Sequence, residues 1–446
     1  MTALILCVLA FLCTFVAAKK SLWAGLVFAA GVGYLYGILR ANLLAAASHF
    51  IFDASLAGLY LASFNRFFDN SEKNSSALRL WIVALMGWPC LLFLLPFQPF
   101  LVSLVGLRGN IFFIPVLLLG SRLRPSELRL FACGLAALNL LALGFGVLEY
   151  FRGIEPFFPR SPVTSIIYSS ADVAGGHYRI PAIFTSAHGY ASTMVASIPF
   201  LYAAWIEPSR GGLKRMLLFA GMGAAFCGVL LASTRTFVVM ASFLVIVIVF
   251  GGGMTVKKQA LWLIGILCLG SLALTNERFQ RFKSLSDSDM VVERIAGSVN
   301  RSFFEILMEH PMGNGLGGGG TSLPYFLQSQ VQSPIGGESE FTRILAEQGI
   351  IGLSIWIGFL LWCIIRRTPF LKHPARAPRR VIWCWYSVSF VTSAIGVGLL
   401  TAIPSTFLML LAVGWTVVVP AREVAISKAR SPLRRVGTRP YEIYSH

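Results

Sequence analysis

The chain has 446 residues, 56% of them hydrophobic and only 13% charged, with a mean hydropathy of +0.73 and a formal net charge of +18. That is too little polar material to coat a water-soluble globule, so the composition excludes a soluble enzyme and places the chain in a bilayer. The basic excess reads as an insertion and lipid-headgroup signal in preference to a nucleic-acid footprint.

Apolar runs long enough to cross a hydrocarbon core of about 30 Å as helices recur along nearly the whole length. They are predicted near residues 2–18, 21–39, 42–64, 80–96, 106–121, 130–149, 188–205, 216–232, 236–252, 259–275, 345–365, 381–400 and 403–420. The expected fold is an all-α polytopic transmembrane bundle of about 12–13 spans, one integral membrane domain over 1–446. The first span ends in Val16-Ala17-Ala18, which looks like a cleavage site, but no basic residue precedes it and it is kept as a span. All eight cysteines (Cys7, Cys13, Cys90, Cys133, Cys227, Cys268, Cys363, Cys384) fall inside spans, which argues against a disulfide framework or a metal site. No metal and no cofactor is expected.

Charge gives the orientation. Sorting the 37 Lys and Arg by alternate loops puts 25 on one side, and the other side takes 12 together with 12 of the 19 acidic residues. The basic side is cytoplasmic by the positive-inside bias, and it includes the tail at 421–446. Two external loops are long, 150–187 and 276–340. On the external side of the membrane they have no nucleoside triphosphate at hand. A reaction there needs an activated substrate or a gradient.

Along the chain, His49 and Asp53 stand four apart in the third span, where they are expected to meet on one helix face. An ionisable pair at that depth motivates a functional reading, here a proton-coupled transporter or flippase, against a packing hydrogen bond between helices. Arg179 precedes the seventh span, and His188 opens it in Ser186-Ala187-His188-Gly189-Tyr190. Arg235 sits in the tight external turn Ser233-Thr234-Arg235-Thr236, where an arginine either snorkels to lipid phosphate or marks a polar cavity. The segment Glu293–Met308 reads as a helix with Ile295, Val299, Phe303 and Ile306 on one face, and Arg294 and Arg301 lie on it. Several guanidiniums on one face suit a pyrophosphate, since each offers a planar fork of donors with a permanent charge.

His310 and Pro311 end that helix, and Gly313 to Gly320 follow as a flexible connector or an anion-holding backbone. Gly319 stands where a nucleotide-binding loop needs lysine, so that motif is absent. Glu338 and Glu340 open the next helix, which enters the membrane at Gly349. A carboxylate there would accept a proton from a sugar hydroxyl, or merely cap the helix. Glu340, Arg343 and Glu347 have the spacing of a surface ion-pair ladder, and Glu338 falls outside it.

The string His310-Pro311-Met312-Gly313-Asn314-Gly315-Leu316-Gly317, followed by Glu338-Ser339-Glu340-Phe341 and Glu347-Gln348-Gly349-Ile350-Ile351-Gly352, resembles the hallmark of the O-antigen ligase and Wzy-type polysaccharide polymerase superfamily. Arg179-Ile180-Pro181-Ala182-Ile183-Phe184 is similar to its R-x-x-G-x-F element, with Ala182 in place of the glycine, and Ser233-Thr234-Arg235 to its serine-arginine turn.

The resemblance implies a metal-independent GT-C type glycosyltransferase. Its partners would be a saccharide donor on undecaprenyl pyrophosphate, a saccharide acceptor, membrane lipids and other polysaccharide-assembly proteins. It places Arg179, Arg235, Arg294 and Arg301 on the donor phosphates and Glu338 with Arg235 at the reaction centre. His188, His310 and Glu340 stand as secondary candidates. Glu338 occupies the position where ligases have histidine, which leans toward a polymerase of O-antigen, capsule or exopolysaccharide. Such chemistry needs charge stabilisation on the leaving group and a base at the nucleophile.

Overall fold

The computed structural model describes residues 1–67, 76–169, 178–206, 212–251, 259–260, 264, 302–319, 323–335, 339–366, 376–394, 396 and 398–418. Among them there is no strand, and the chain is a polytopic helical membrane bundle. Its principal helices are α1 (Thr2–Lys20), α2 (Leu22–Asn42), α3 (Ile51–Ala62), α4 (Ser76–Phe93), α5 (Phe100–Ile111), α6 (Val116–Arg122) and α7 (Pro125–Arg152). After them come α8 (Ala187–Ile206), α9 (Gly212–Leu231), α10 (Arg235–Gly251), α11 (Ser302–Glu309), α12 (Glu340–Ile365), α13 (Arg376–Thr392) and α14 (Ser405–Val417).

Most predicted spans appear as helices, with three changes of outline. The predicted 106–121 span begins earlier, at Phe100, and α5 and α6 are separated by turns over 112–115 ahead of Pro115, whose missing N–H interrupts the helical ladder. The predicted 42–64 span is a 3-10 turn at Ala46–Phe50 feeding α3. The predicted 381–400 span stops at Thr392, and the described residues between it and α14 are non-helical. Nearly all of the predicted 259–275 span lies outside the described residues.

Among the described residues two helices are enclosed on every side, α14 throughout and α8 nearly so. In α8 only His188, Trp205 and Ile206 escape full burial, as expected of a helix apolar all round and enclosed by others. By contrast α1 and α4 leave Leu4, Leu12, Leu80 and Val83 well exposed, the faces that meet lipid. Without a hydrophobic drive between helices in lipid, small residues and buried polar links hold the bundle. At the crossing of α6 and α14 a Cβ on Gly120 would stand 2.2 Å from the Leu411 carbonyl oxygen, and one on Gly414 would stand 2.0 Å from that of Leu117. Asn139 of α7 joins four helices: its Oδ1 accepts from the Tyr34 hydroxyl at 2.7 Å, while its Nδ2 donates to Ser197 Oγ at 2.8 Å and to the Gly221 carbonyl at 3.2 Å.

Candidate functional site

The two glycine-bearing strings quoted from the sequence are packed against each other. Gly349 interrupts α12 with φ 67° and ψ −170°, a conformation that L side chains essentially avoid. Into that break docks the Pro311–Gly317 turn: Ile350 N–H donates to the Pro311 carbonyl at 2.9 Å, and Asn314 N–H donates to that of Ala346 at 2.6 Å. Gln98 clamps the far side, its Nε2 donating to the Asn314 and Gln332 carbonyls, each at 2.9 Å. Residues Gly315 to Gly319 are buried. The flexible connector expected here is therefore corrected to a fixed, packed turn, ordered by backbone hydrogen bonds that only close backbone approach permits.

The acidic ladder is corrected as well. Glu340, Arg343 and Glu347 do pair at their helical spacing, but in the interior: Arg343 Nε donates to Glu340 Oε1 at 2.7 Å, and Arg343 Nη1 donates to Glu347 Oε2 at 2.9 Å, with all three side chains at most 2% exposed. Asn110 of α5 completes the network through Glu347 Oε2 at 2.7 Å and Gln348 Nε2 at 2.8 Å. The other Glu340 oxygen accepts the N–H groups of Gly398 and Leu400 at 3.1 and 3.3 Å, so it fixes the non-helical segment before α14. The helix cap is Ser339, whose Oγ accepts from Thr342 N–H at 3.0 Å.

That segment leads to the other candidates. A Cβ on Gly398 would lie 3.8 Å from the His188 ring, and His188 meets Phe237 edge-on at 4.7 Å between centroids. Phe237 is in the first turn of α10, which Arg235 begins, directly after the buried Ser233 and Thr234. The Arg179–Phe184 stretch is held by Glu149 of α7, whose Oε2 accepts from Ala182 N–H at 2.8 Å, and by α2, where Ile38 N–H donates to the Ile183 carbonyl at 3.1 Å. Ala182 has φ 51°, the left-handed region that favours glycine, at the position where the motif has one. His310 follows α11, its N–H on the Ile306 carbonyl at 2.8 Å and its carbonyl accepting from Gly313 N–H at 2.9 Å. In α11 Ile306 is buried and Phe303 half-buried, the face expected of them, while the predicted helix before residue 302 lies outside the described residues. Glu338, Arg294 and Arg301 lie outside them too.

A cavity of about 300 Å³ opens between the α7–α8 connection (Pro162, Val163, Ser165, Ile166, Thr185), the stretch Leu323 to Gln328, and Thr401 to Ile403. Its cations are Arg40 of α2 and Arg108 of α5, neither singled out from the sequence, with His49 and Tyr36 beside them. Arg179 and Arg235 are not in its lining. Arg40 Nη2 donates to the Val163 carbonyl at 3.3 Å. Arg108 Nη2 pairs with Asp53 Oδ2 at 2.6 Å. The expected His49–Asp53 contact is corrected by that pair: His49 packs edge-on against Phe326 at 5.6 Å between centroids, and its carbonyl accepts the Tyr36 hydroxyl at 3.1 Å. No local signal marks Arg40 or Arg108, since each is one arginine at a span end and only the fold brings them together. Among the described residues no group of His, Cys, Asp and Glu has the arrangement of a metal site.

Compared with protein-family models and with curated proteins, the chain matches none of them.

Proposed function

We propose that the chain is an integral membrane glycosyltransferase that polymerises or transfers saccharide units carried on undecaprenyl pyrophosphate, at the periplasmic face of a bacterial inner membrane, in O-antigen, capsule or exopolysaccharide synthesis. One observation carries the reading: a chain of contacts links the segments bearing three of the motifs, and the fourth ends beside a cavity. The Pro311–Gly317 turn docks on α12, Glu340 of α12 holds Gly398, Gly398 adjoins His188, and His188 adjoins Phe237 beside Arg235. Thr185, directly after the Arg179–Phe184 element, and Thr401 both line the cavity. The positive φ of Ala182 lends further support, because it accounts for the glycine of the motif it departs from.

In this reading Arg179, Arg235, Arg294 and Arg301 stabilise the diphosphate leaving group, and Glu338 takes the proton of the acceptor hydroxyl as the glycosidic bond forms. With the donor already activated, the reaction requires no nucleotide. The test is the lipid-linked saccharide content of membranes whose only copy carries Arg235→Ala. Single repeat units accumulate and polymer falls if the reading holds; unchanged lipid-linked saccharides and normal polymer would reject it. The transporter reading rested on a His49–Asp53 pair, and Asp53 is engaged by Arg108 instead.

A further inference from the structure

The geometry points to the Arg40–Arg108 cavity as a subsite for a sugar ring bearing a single carboxylate, separate from the residues assigned to the donor diphosphate. The inference rests on the glycosyl-transfer reading for what the bound sugar is used for; the site itself follows from charge, shape and hydrogen-bonding groups.

Charge comes first. Among the described residues the cavity holds the guanidiniums of Arg40 and Arg108, and one of these is offset by Asp53, whose side chain is only 11% exposed behind Arg108. Among the described residues one positive charge is left uncompensated, which matches one carboxylate and falls short of a diphosphate with its two or more negative charges. Both guanidiniums are already steered by the fold, Arg40 by the Val163 carbonyl at 3.3 Å and Arg108 by Asp53 at 2.6 Å. Arg108 Nε is buried with no hydrogen-bond partner among the described residues. A planar fork held in this way suits the planar, two-oxygen geometry of a carboxylate.

The remaining lining suits a sugar and not a lipid headgroup. Thr185 and Thr401 supply hydroxyls and Gln328 an amide, groups that both donate and accept as ring hydroxyls do, whereas a phosphodiester only accepts. Tyr325 is 40% exposed, and its ring is fixed against those of Phe326 and His49 at 5.5 and 6.0 Å between centroids. It offers a flat apolar face beside the cations, of the kind a sugar's C–H face covers. A volume of about 300 Å³ lies at the lower end for small-molecule sites, room for one or two rings and not for a polyprenyl tail.

The test is equilibrium binding of labelled glucuronate and galacturonate to the full-length protein in phosphatidylcholine nanodiscs, against glucose and galactose. The uronates should bind about tenfold or more tightly than their neutral counterparts. Arg40→Gln should erase that preference at unchanged thermal stability, and Arg40→Lys should keep part of it. If Arg40→Gln does not fold, Tyr325→Ala and Gln328→Ala serve instead, and both should weaken uronate and neutral sugar alike. Equal binding of uronate and neutral sugar, a preference that survives Arg40→Gln, or no effect of the Tyr325 and Gln328 substitutions would overturn the assignment. So would displacement of uronate by inorganic phosphate at lower concentration, or its loss in nanodiscs containing phosphatidylglycerol, each of which would assign the site to a phosphate. Uronate preference without lipid-linked accumulation in Arg235→Ala keeps this site and removes glycosyl transfer, and the converse result does the reverse.

Discussion

Gly349→Ala probes the junction on which the site's architecture depends. Two costs combine at that position. The backbone sits at φ 67° and ψ −170°, a region open essentially to glycine alone, so an alanine there carries about 1–3 kcal/mol of strain. The added Cβ would also meet backbone atoms, the Met312 carbonyl carbon at 2.5 Å and the Met312 and Pro311 carbonyl oxygens at 2.7 Å. Backbone cannot rotate away as a flexible side chain can, so the turn must shift, for roughly another 1–3 kcal/mol of overpacking. The expected loss is about 2–6 kcal/mol of unfolding free energy. Equilibrium unfolding of the purified protein in mixed micelles measures it, with Gly87→Ala as the control. Gly87 has nothing within 4 Å of its built Cβ and lies inside α4, so alanine there should stabilise by roughly 0.5–1 kcal/mol. A Gly349→Ala protein within about 0.5 kcal/mol of the parent would refute the docking of the turn into the helix break.

Arg343→Leu removes the cation between Glu340 and Glu347 and strands two buried carboxylates, so unfolding free energy in micelles should drop by about 3–5 kcal/mol. Tyr190→Phe should change stability by less than about 0.5 kcal/mol, because the buried Tyr190 hydroxyl has no hydrogen-bond partner among the described residues to lose. Ala182→Gly trades about 1–2 kcal/mol of left-handed strain against the roughly 0.5–1 kcal/mol entropic cost of glycine, so its melting temperature should hold or rise. Ala182→Val, branched at the same positive φ, should lower it clearly.

Hydropathy was enough to foresee the membrane bundle because span length and apolar composition are local properties, and α1, α2, α7 and α12 lie close to where the apolar runs put them. Burial inside the bundle was not legible in the same way. Spacing of three and four aligned Glu340, Arg343 and Glu347 on one face, but it carried no information on whether that face met solvent or α5, and Asn110 supplies the answer only in three dimensions. The glycines of 313–317 announced an unusual backbone; that it would lock onto Gly349 depended on a contact across more than thirty residues. Asp53 drew attention as an intramembrane acid, yet its partner is fifty-five residues away at Arg108, not four away at His49. Arg40 and Arg108 are ordinary in sequence and become a site only when α2 and α5 bring them to one cavity.

Reconstitution supplies the most direct measurement of the sugar-transfer proposal: the purified chain in proteoliposomes, given a lipid-linked saccharide on undecaprenyl pyrophosphate and no nucleotide. The account predicts lengthened or transferred saccharide together with released undecaprenyl pyrophosphate, both lost in Arg235→Ala. Substrate recovered intact with the parent protein, or turned over equally by the Arg235→Ala protein, would contradict it.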